Sequence, residues 1–311
     1  MAISSKPGSS RPIDGVPTRL RSEKFIRFLC FACAAISILT TLGIVLVLST
    51  EAIAFFTKSK VTPAEFFLGT EWSPTFNDPK FGIVPLVCGT AMITVGACVI
   101  AVPIGLLTAI YLSEYAHPTM RKFAKPVLEL LAGIPTVVYG YIALFYITPS
   151  LRKVIPDLQV FNALSGSIVV GIMILPLVSS LCEDAISSVP KGLREGGYGL
   201  GSTKLEVTSK IVLPSALSGI MAAVILAMSR AVGETMAVSL AAGETPNVTA
   251  DYRETIQTMT SYIVQISKGD TPSGSISFLT LFAVGATLFL ITMTLNIIAT
   301  RLVRKYRRVY T

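Results

Sequence analysis

The chain has 311 residues, of which 52% are apolar and only 14% charged, where a soluble domain carries about 25% charged residues. Its mean hydropathy is +0.68, so apolar surface exceeds what one water-soluble core could enclose, and lipid is the expected cover. The formal charge of +8 fits basic clusters at membrane-helix ends, and no nucleic-acid partner is expected.

Residues 1–24, rich in Ser, Pro, Gly and Arg, predict a disordered tail. Beyond it, the test for a span is length: at about 1.5 Å per residue, about 20 apolar residues cross a hydrocarbon layer about 30 Å thick. Runs near 28–48, 82–112, 130–151, 160–182, 214–243 and 277–300 meet that test. The expected fold is therefore all-α and polytopic, with six transmembrane helices in one domain over 25–304 and a basic tail at 305–311. The first run is too long for a cleaved leader and lacks a clear small-residue cleavage site, so it reads as a membrane anchor. The second holds Pro85 and Pro103, the third is interrupted by Gly133-Ile134-Pro135, and the fourth contains Pro176. Pro103, Pro135 and Pro176 are expected bending points, either moving or static.

Lys and Arg orient the chain. With the N-terminus inside, inner segments hold eighteen of them and outer loops seven, which places both termini in the cytoplasm. The five cysteines lie in or at the end of apolar runs, and the Cys30-Cys33 pair reads as two small apolar side chains rather than a redox or zinc site. His117, the only histidine, cannot build a metal centre alone. No metal, cofactor or catalytic residue is expected.

The segment 183–213, between the fourth and fifth spans, is long and amphipathic. Ser202 and Thr203 precede Lys204-Leu205-Glu206 as a helix start, Leu205, Ile211 and Val212 offer an apolar side, and Pro214 is placed to open the next membrane helix. A simple tether needs none of this, so a docking element is expected. Its residues Glu195-Gly196-Gly197, Gly201, Ile211 and Leu213-Pro214 resemble, at fixed spacing, the EAA loop of ATP-binding-cassette importer permeases. Gly196-Gly197 stand where the family has Ala-Ala, which weakens the expected helix by up to about 1 kcal/mol each. The resemblance implies that Glu195, Gly196, Gly197, Gly201, Ile211, Leu213 and Pro214 couple to a separate ATPase. Gly199-Leu200-Gly201-Ser202-Thr203-Lys204 has the wrong order for a phosphate-cradling loop, so this chain is not expected to hydrolyse ATP by that route.

The fifth run carries Arg230 and Glu234, four residues apart and expected on one helical face. An unpaired charge at bilayer depth costs about 2.5–3.5 kcal/mol on insertion scales. The pair therefore reads in two ways: Arg230 meets a passing oxyanion while Glu234 holds or releases the guanidinium, or a permanent pair fixes helix packing. Ser229-Arg230-Ala231-Val232-Gly233-Glu234-Thr235-Met236-Ala237-Val238 resembles a segment of the PstC-type phosphate importer permeases. So do residues 67–72, 129–140 and 198–201, with Thr136 where the family has serine. The resemblance implies a MetI-like permease with a substrate path near Arg230, Glu234, Thr235 and Thr136, in the bacterial inner membrane. It further implies a second, PstA-like permease, two ATPase subunits, a periplasmic phosphate-binding protein and inorganic phosphate as cargo, moved by alternating access. Permeases for sulfate or molybdate, an ATP-independent channel or secondary transporter, and a signalling scaffold are the alternatives.

Overall fold

The computed structural model describes residues 16–306 apart from positions 77, 270 and 273, with side chains over 23–304. The chain divides after Thr50 into two compact units. The helix α1, Val16–Ser59, belongs to both. In the first unit its apolar side chains, Phe28, Ile38 and Val47 among them, are exposed. Residues 16–24, expected in a disordered tail, are already helical, and the rest of that expected tail, with the end of the basic one, lies outside the described residues.

The second unit continues with α2, Pro63–Leu68, and a two-residue antiparallel ladder pairing β1, Trp72–Ser73, with β2, Lys80–Phe81. Helix α3, Val84–Ile110, runs into a π turn at Tyr111–Tyr115. Next come α4, Pro118–Ala132, and α5, Thr136–Ile142, the latter joined through a π turn at Ala143–Ile147 to α6, Thr148–Arg152. Helix α7 spans Ala163–Ser187, followed by α8, Lys191–Gly199, and α9, Lys204–Val207. A π turn at Thr208–Val212 carries α9 into α10, Leu213–Val232, and the chain ends in α11, Met236–Ala242, α12, Met259–Lys268, and α13, Ile276–Tyr306.

Among the described residues five helices are long and apolar enough to cross a membrane, and α4 with α5–α6 form a sixth, bent pair. The bend is 88° and falls at Gly133-Ile134-Pro135, where proline has no N–H to continue the ladder and pushes Ile134 out of helical geometry. The third run is thus not one straight span over 130–151. Helix α4 carries its polar and apolar residues on separate faces and extends back to Pro118, into what the sequence suggested was loop. Pro103 and Pro176, by contrast, sit inside unbroken helices.

Helices α3 and α7 form the central pair, held close by small residues. A Cβ at Gly105 would lie 2.7 Å from Val178 Cγ1, and one at Gly96 2.5 Å from Ser167 Oγ. Around them Ile93, Ala97, Val170, Ile174, Ile186 and Val212 are buried in one apolar core that α10 and α11 complete. A second core is aromatic: Phe55, Phe66, Trp72, Phe81 and Tyr262 meet edge to face with centroids 5.0–6.2 Å apart, the geometry that ring quadrupoles favour.

Candidate functional site

The segment 188–213 folds into short helices packed against the core, while residues 183–187, expected in the same loop, form the end of α7. Helix α8 forms despite its glycines and ends in a Schellman turn, with Ser202 N–H donating to Gly197 O at 3.2 Å and Gly201 N–H to Tyr198 O at 3.0 Å. Gly201 closes it at φ +79°, a left-handed value that side chains disfavour. Thr203 then opens α9 with a reciprocal capping box, its hydroxyl accepting from Glu206 N–H while the Glu206 carboxylate accepts from Thr203 N–H.

The two helices touch at Gly197, where a Cβ would lie 2.7 Å from Ile211 Cδ1 and 3.0 Å from Val207 Cγ2. Gly196 faces open space. Glu195, Tyr198, Leu200 and Leu205 are exposed, so Leu205 belongs to the outer face, and Val207, Ile211 and Val212 supply the inner one. Pro214 stands in the first turn of α10, where its missing N–H costs nothing. From Lys204 to Val232 the chain is one helical rod of 29 residues, its first turn against α8 and its last carrying Arg230.

Sequence reasoning passed over a second set of residues beside this element. Arg194, on α8, donates from Nε and Nη2 to Glu114 Oε1 at 3.2 and 2.9 Å, and from Nη2 to Ile186 O at 2.8 Å. Glu114 sits in the π turn after α3 and is 6% exposed. At the end of α7, Glu183 is 3% exposed and pairs with Arg121 and Lys125 of α4, and Lys125 also reaches Asp184 at 2.8 Å. The signal was present in the basic residues of 121–125 facing the acidic pair 183–184, but only the fold brings two distant loops together.

The fifth span corrects the expected Arg230–Glu234 pairing. Helix α10 ends at Val232, and Gly233-Glu234-Thr235 break the chain before α11. Arg230 therefore lies in the last turn of a helix rather than mid-span, about 26 Å along α10 from Leu213 at 1.5 Å per residue. The four-residue spacing no longer places the two side chains on one face. Among the described residues no carboxylate lies within 4.0 Å of the Arg230 guanidinium. Arg230 is exposed and Glu234 buried. Glu234 instead turns to α11: its Oε1 accepts from Ala237 N–H at 3.2 Å, and its backbone carbonyl accepts from the Thr260 hydroxyl at 2.7 Å. Thr235 donates its hydroxyl to Gly233 O at 3.2 Å. Thr136 opens α5, half-buried, just after the other chain break. Helices α5 and α11, which follow the two breaks, pack together so closely that a Cβ at Gly140 would lie 2.9 Å from Leu240 Cβ. The fold thus sets Thr136 and Thr235 at the starts of neighbouring half-helices and leaves Arg230 outside any ion pair among the described residues.

Residues 101–308 match the family described as binding-protein-dependent transport system inner membrane component. The chain is 36% identical over 280 residues, 90% of both chains, to the probable ABC transporter permease protein YqgH of Bacillus subtilis. It is 33% identical over 289 residues, covering 86% of this chain and 85% of the other, to the phosphate transport system permease protein PstC of Mesorhizobium japonicum. Among solved structures it resembles a bacterial ABC transporter involved in the import of the acidic polysaccharide alginate, with TM-score 0.62 and 15% identity over 93% of this chain and all of that one. It also resembles the inward-facing MetNI methionine ABC transporter, with TM-score 0.53 and 18% identity over 73% and 95%. These two show the fold. The chain belongs to the binding-protein-dependent transport system inner membrane components, the multi-pass, MetI-like permease subunits of ABC importers that work with ATPase and binding-protein partners.

Proposed function

We propose that this chain is the PstC-type permease of an ATP-driven phosphate importer, with a PstA-like second permease, two ATPase subunits and a phosphate-binding protein as partners. The observation that carries the reading is the exposed Arg230, without an ion-pair partner among the described residues, in the last turn of the rod that begins beside α8. A guanidinium on a membrane helix needs water, a counter-charge or a neighbouring subunit, and its planar fork suits a tetrahedral oxyanion. Phosphate is favoured over other cargo by the 31–37% identity to phosphate permeases and by the segment around Arg230.

In this reading both termini are cytoplasmic and α8 meets an ATPase through Glu195 and its exposed apolar neighbours. Closure of the ATPases pushes α8, Gly197 passes the push to Ile211, and the rod shifts the end that holds Arg230. Thr136 and Thr235, at the starts of α5 and α11, offer hydroxyls to the path, while Glu234 fixes the break. Nucleotide and phosphate move the equilibrium only by binding the two states unequally.

The test is uptake of radiolabelled phosphate by the assembled transporter. Arg230→Gln is expected to lower uptake by about 10-fold or more, the scale of one charge-assisted contact, with expression and assembly intact. Normal uptake in that variant overturns the role given to Arg230, and equal competition by sulfate, or no phosphate uptake by the native complex, overturns the phosphate assignment.

A further inference from the structure

Three contacts converge on the π turn that ends α3. Glu114 takes two hydrogen bonds from Arg194 of α8, the Tyr115 ring lies 4.8 Å beneath the Lys204 ammonium at the start of α9, and Ser113 Oγ is 3.3 Å from Ser187 Oγ at the end of α7. Arg194 adds bonds to the Ile186 and Val189 carbonyls, closing the exposed end of α7. One guanidinium, 16% exposed, thus joins α8 to both central helices. The other side of α8 rests on the π turn at Thr208–Val212 through Gly197 and Ile211. Helix α8 is gripped between two π turns, one closing α3 and the other a bulge within the rod of the kind found at functional sites.

An apolar contact would hold α8 in place at least as firmly, because burying charges carries a desolvation cost. What the fork adds is fixed direction: Arg194 constrains rotation as well as position, since its bonds reach a carboxylate on one element and carbonyls on another. A loose apolar seat would let α8 slide when pushed, whereas this seat makes the end of α3 follow it.

We infer that the Glu114–Arg194 pair is the positioning link that makes α3 and α7 move with α8. Together with the Gly197–Ile211 contact it divides the input between two outputs, the central pair α3–α7 and the rod ending at Arg230. The inference rests on the reading that α8 docks on an ATPase, and is independent of the cargo.

The experiment uses the full complex in liposomes, with spin labels at the exposed positions 107 on α3 and 191 on α8. Their separation is expected to stay constant on ATP addition in the otherwise native chain, and to change in Glu114→Gln and in Arg194→Gln. Phosphate taken up per ATP hydrolysed is expected to fall about 10-fold, within the range of inter-site couplings, and no further in the double variant, since both remove one link. Arg194→Lys, which keeps charge but loses the fork, is expected to fall between. A separation that changes with ATP in the native chain, or stays constant in both single variants, overturns the link, as does a double variant whose deficit is the product of the two. Glu114→Gln is nearly isosteric and decides the matter if Arg194→Gln fails to assemble. A photo-crosslinker at position 195 separates the two ideas. No cross-link to an ATPase overturns the docking reading and the link with it, whereas a cross-link with unaltered coupling overturns the link alone.

Discussion

Gly197 on α8 faces Ile211 so closely that a methyl group at position 197 would come within 2.7 Å of the Ile211 Cδ1 atom. The adjacent Gly196 meets nothing within 4 Å, so two neighbouring glycines differ sharply in what they tolerate. Gly196→Ala is expected to stabilise α8 by up to about 1 kcal/mol, because only the backbone entropy of glycine is removed. Slower amide exchange across 191–199 with unchanged uptake is the expected result. Gly197→Ala requires that the Ile211 tip turn and that Val207, 3.0 Å from the new methyl, yield slightly, but Gly197→Val is expected to lift α8 off the rod and abolish uptake. Equal behaviour of the valine variants at 196 and 197 would contradict this packing.

Gly201 is needed for backbone conformation rather than space. Nothing lies within 4 Å of a Cβ there, but φ is +79°, so Gly201→Ala is expected to cost about 1–2 kcal/mol. Gly201→Asn is expected to cost less, because asparagine tolerates the left-handed region. Amide exchange at Gly201 and Ser202, whose N–H groups close the Schellman turn, reads the difference directly. Identical protection in both variants would show that the turn does not govern the end of α8.

Glu234 acts as a cap rather than a counter-ion. Its carboxylate accepts from the Ala237 N–H at the start of a helix that has too few turns to form alone. Glu234→Gln keeps an acceptor oxygen and is expected to fold normally, while Glu234→Ala is expected to lose about 0.5–2 kcal/mol, the range for a lost N-cap. Thermal unfolding of the detergent-solubilised protein measures both. If Glu234→Gln were as destabilised as Glu234→Ala, and Arg230→Gln equally so, an ion pair would be the better account.

These corrections show which parts of the architecture a linear reading reaches. Span number and the short helices of 188–213 follow from composition, length and cap residues, all local properties: Thr203, Gly201 and Pro214 sit where their chemistry requires. The break after Val232 was not read from the sequence, because Ala231-Val232-Gly233-Glu234-Thr235 contains no proline and apolar residues resume at once in 236–242. There the helix end is set by tertiary contacts, among them the Thr260 hydroxyl bonded to the Glu234 carbonyl. The Arg194–Glu114 and Arg121–Glu183 pairs, separated by 80 and 62 residues in sequence, were invisible for the same reason. Leu205 misled because an exposed hydrophobic residue looks like core until the face it lies on is known.

The loop between α11 and α12 carries a pH dependence with a definite sign. Side-chain hydrogen bonds from Arg253, then its backbone N–H, lower the Asp251 carboxyl from 3.8 to about 2. A carboxyl depressed on folding contributes stability that is complete above its ordinary value and fades as pH falls through the folded one. Acidification between about 4 and 2 is therefore expected to loosen residues 249–255 in the native chain, and Asp251→Asn is expected to remove that step. Backbone amide signals of the loop followed through this range give the answer, and a step retained in Asp251→Asn would assign the titration elsewhere.

The cluster at the end of α7 makes an asymmetric prediction. Glu183 is 3% exposed, while its partners Arg121 and Lys125 are 41% and 36% exposed, and the Ser187 hydroxyl donates to the same carboxylate at 3.0 Å. Replacing the carboxylate by an amide in Glu183→Gln lets the two cations return to water and leaves the serine bond available, so the expected loss is about 1–2 kcal/mol. Removing both cations, in Arg121→Ala with Lys125→Ala, strands a buried charge and is expected to cost about 3–5 kcal/mol. Either cation alone can hold the carboxylate, so each single alanine variant is expected to lose less than half of the double. Unfolding midpoints of the four variants, measured in one detergent at one salt concentration, test the order. If Glu183→Gln proved the most destabilised, the cations would be stabilised by the carboxylate rather than the reverse, and α4 would depend on α7 instead of covering its acidic end.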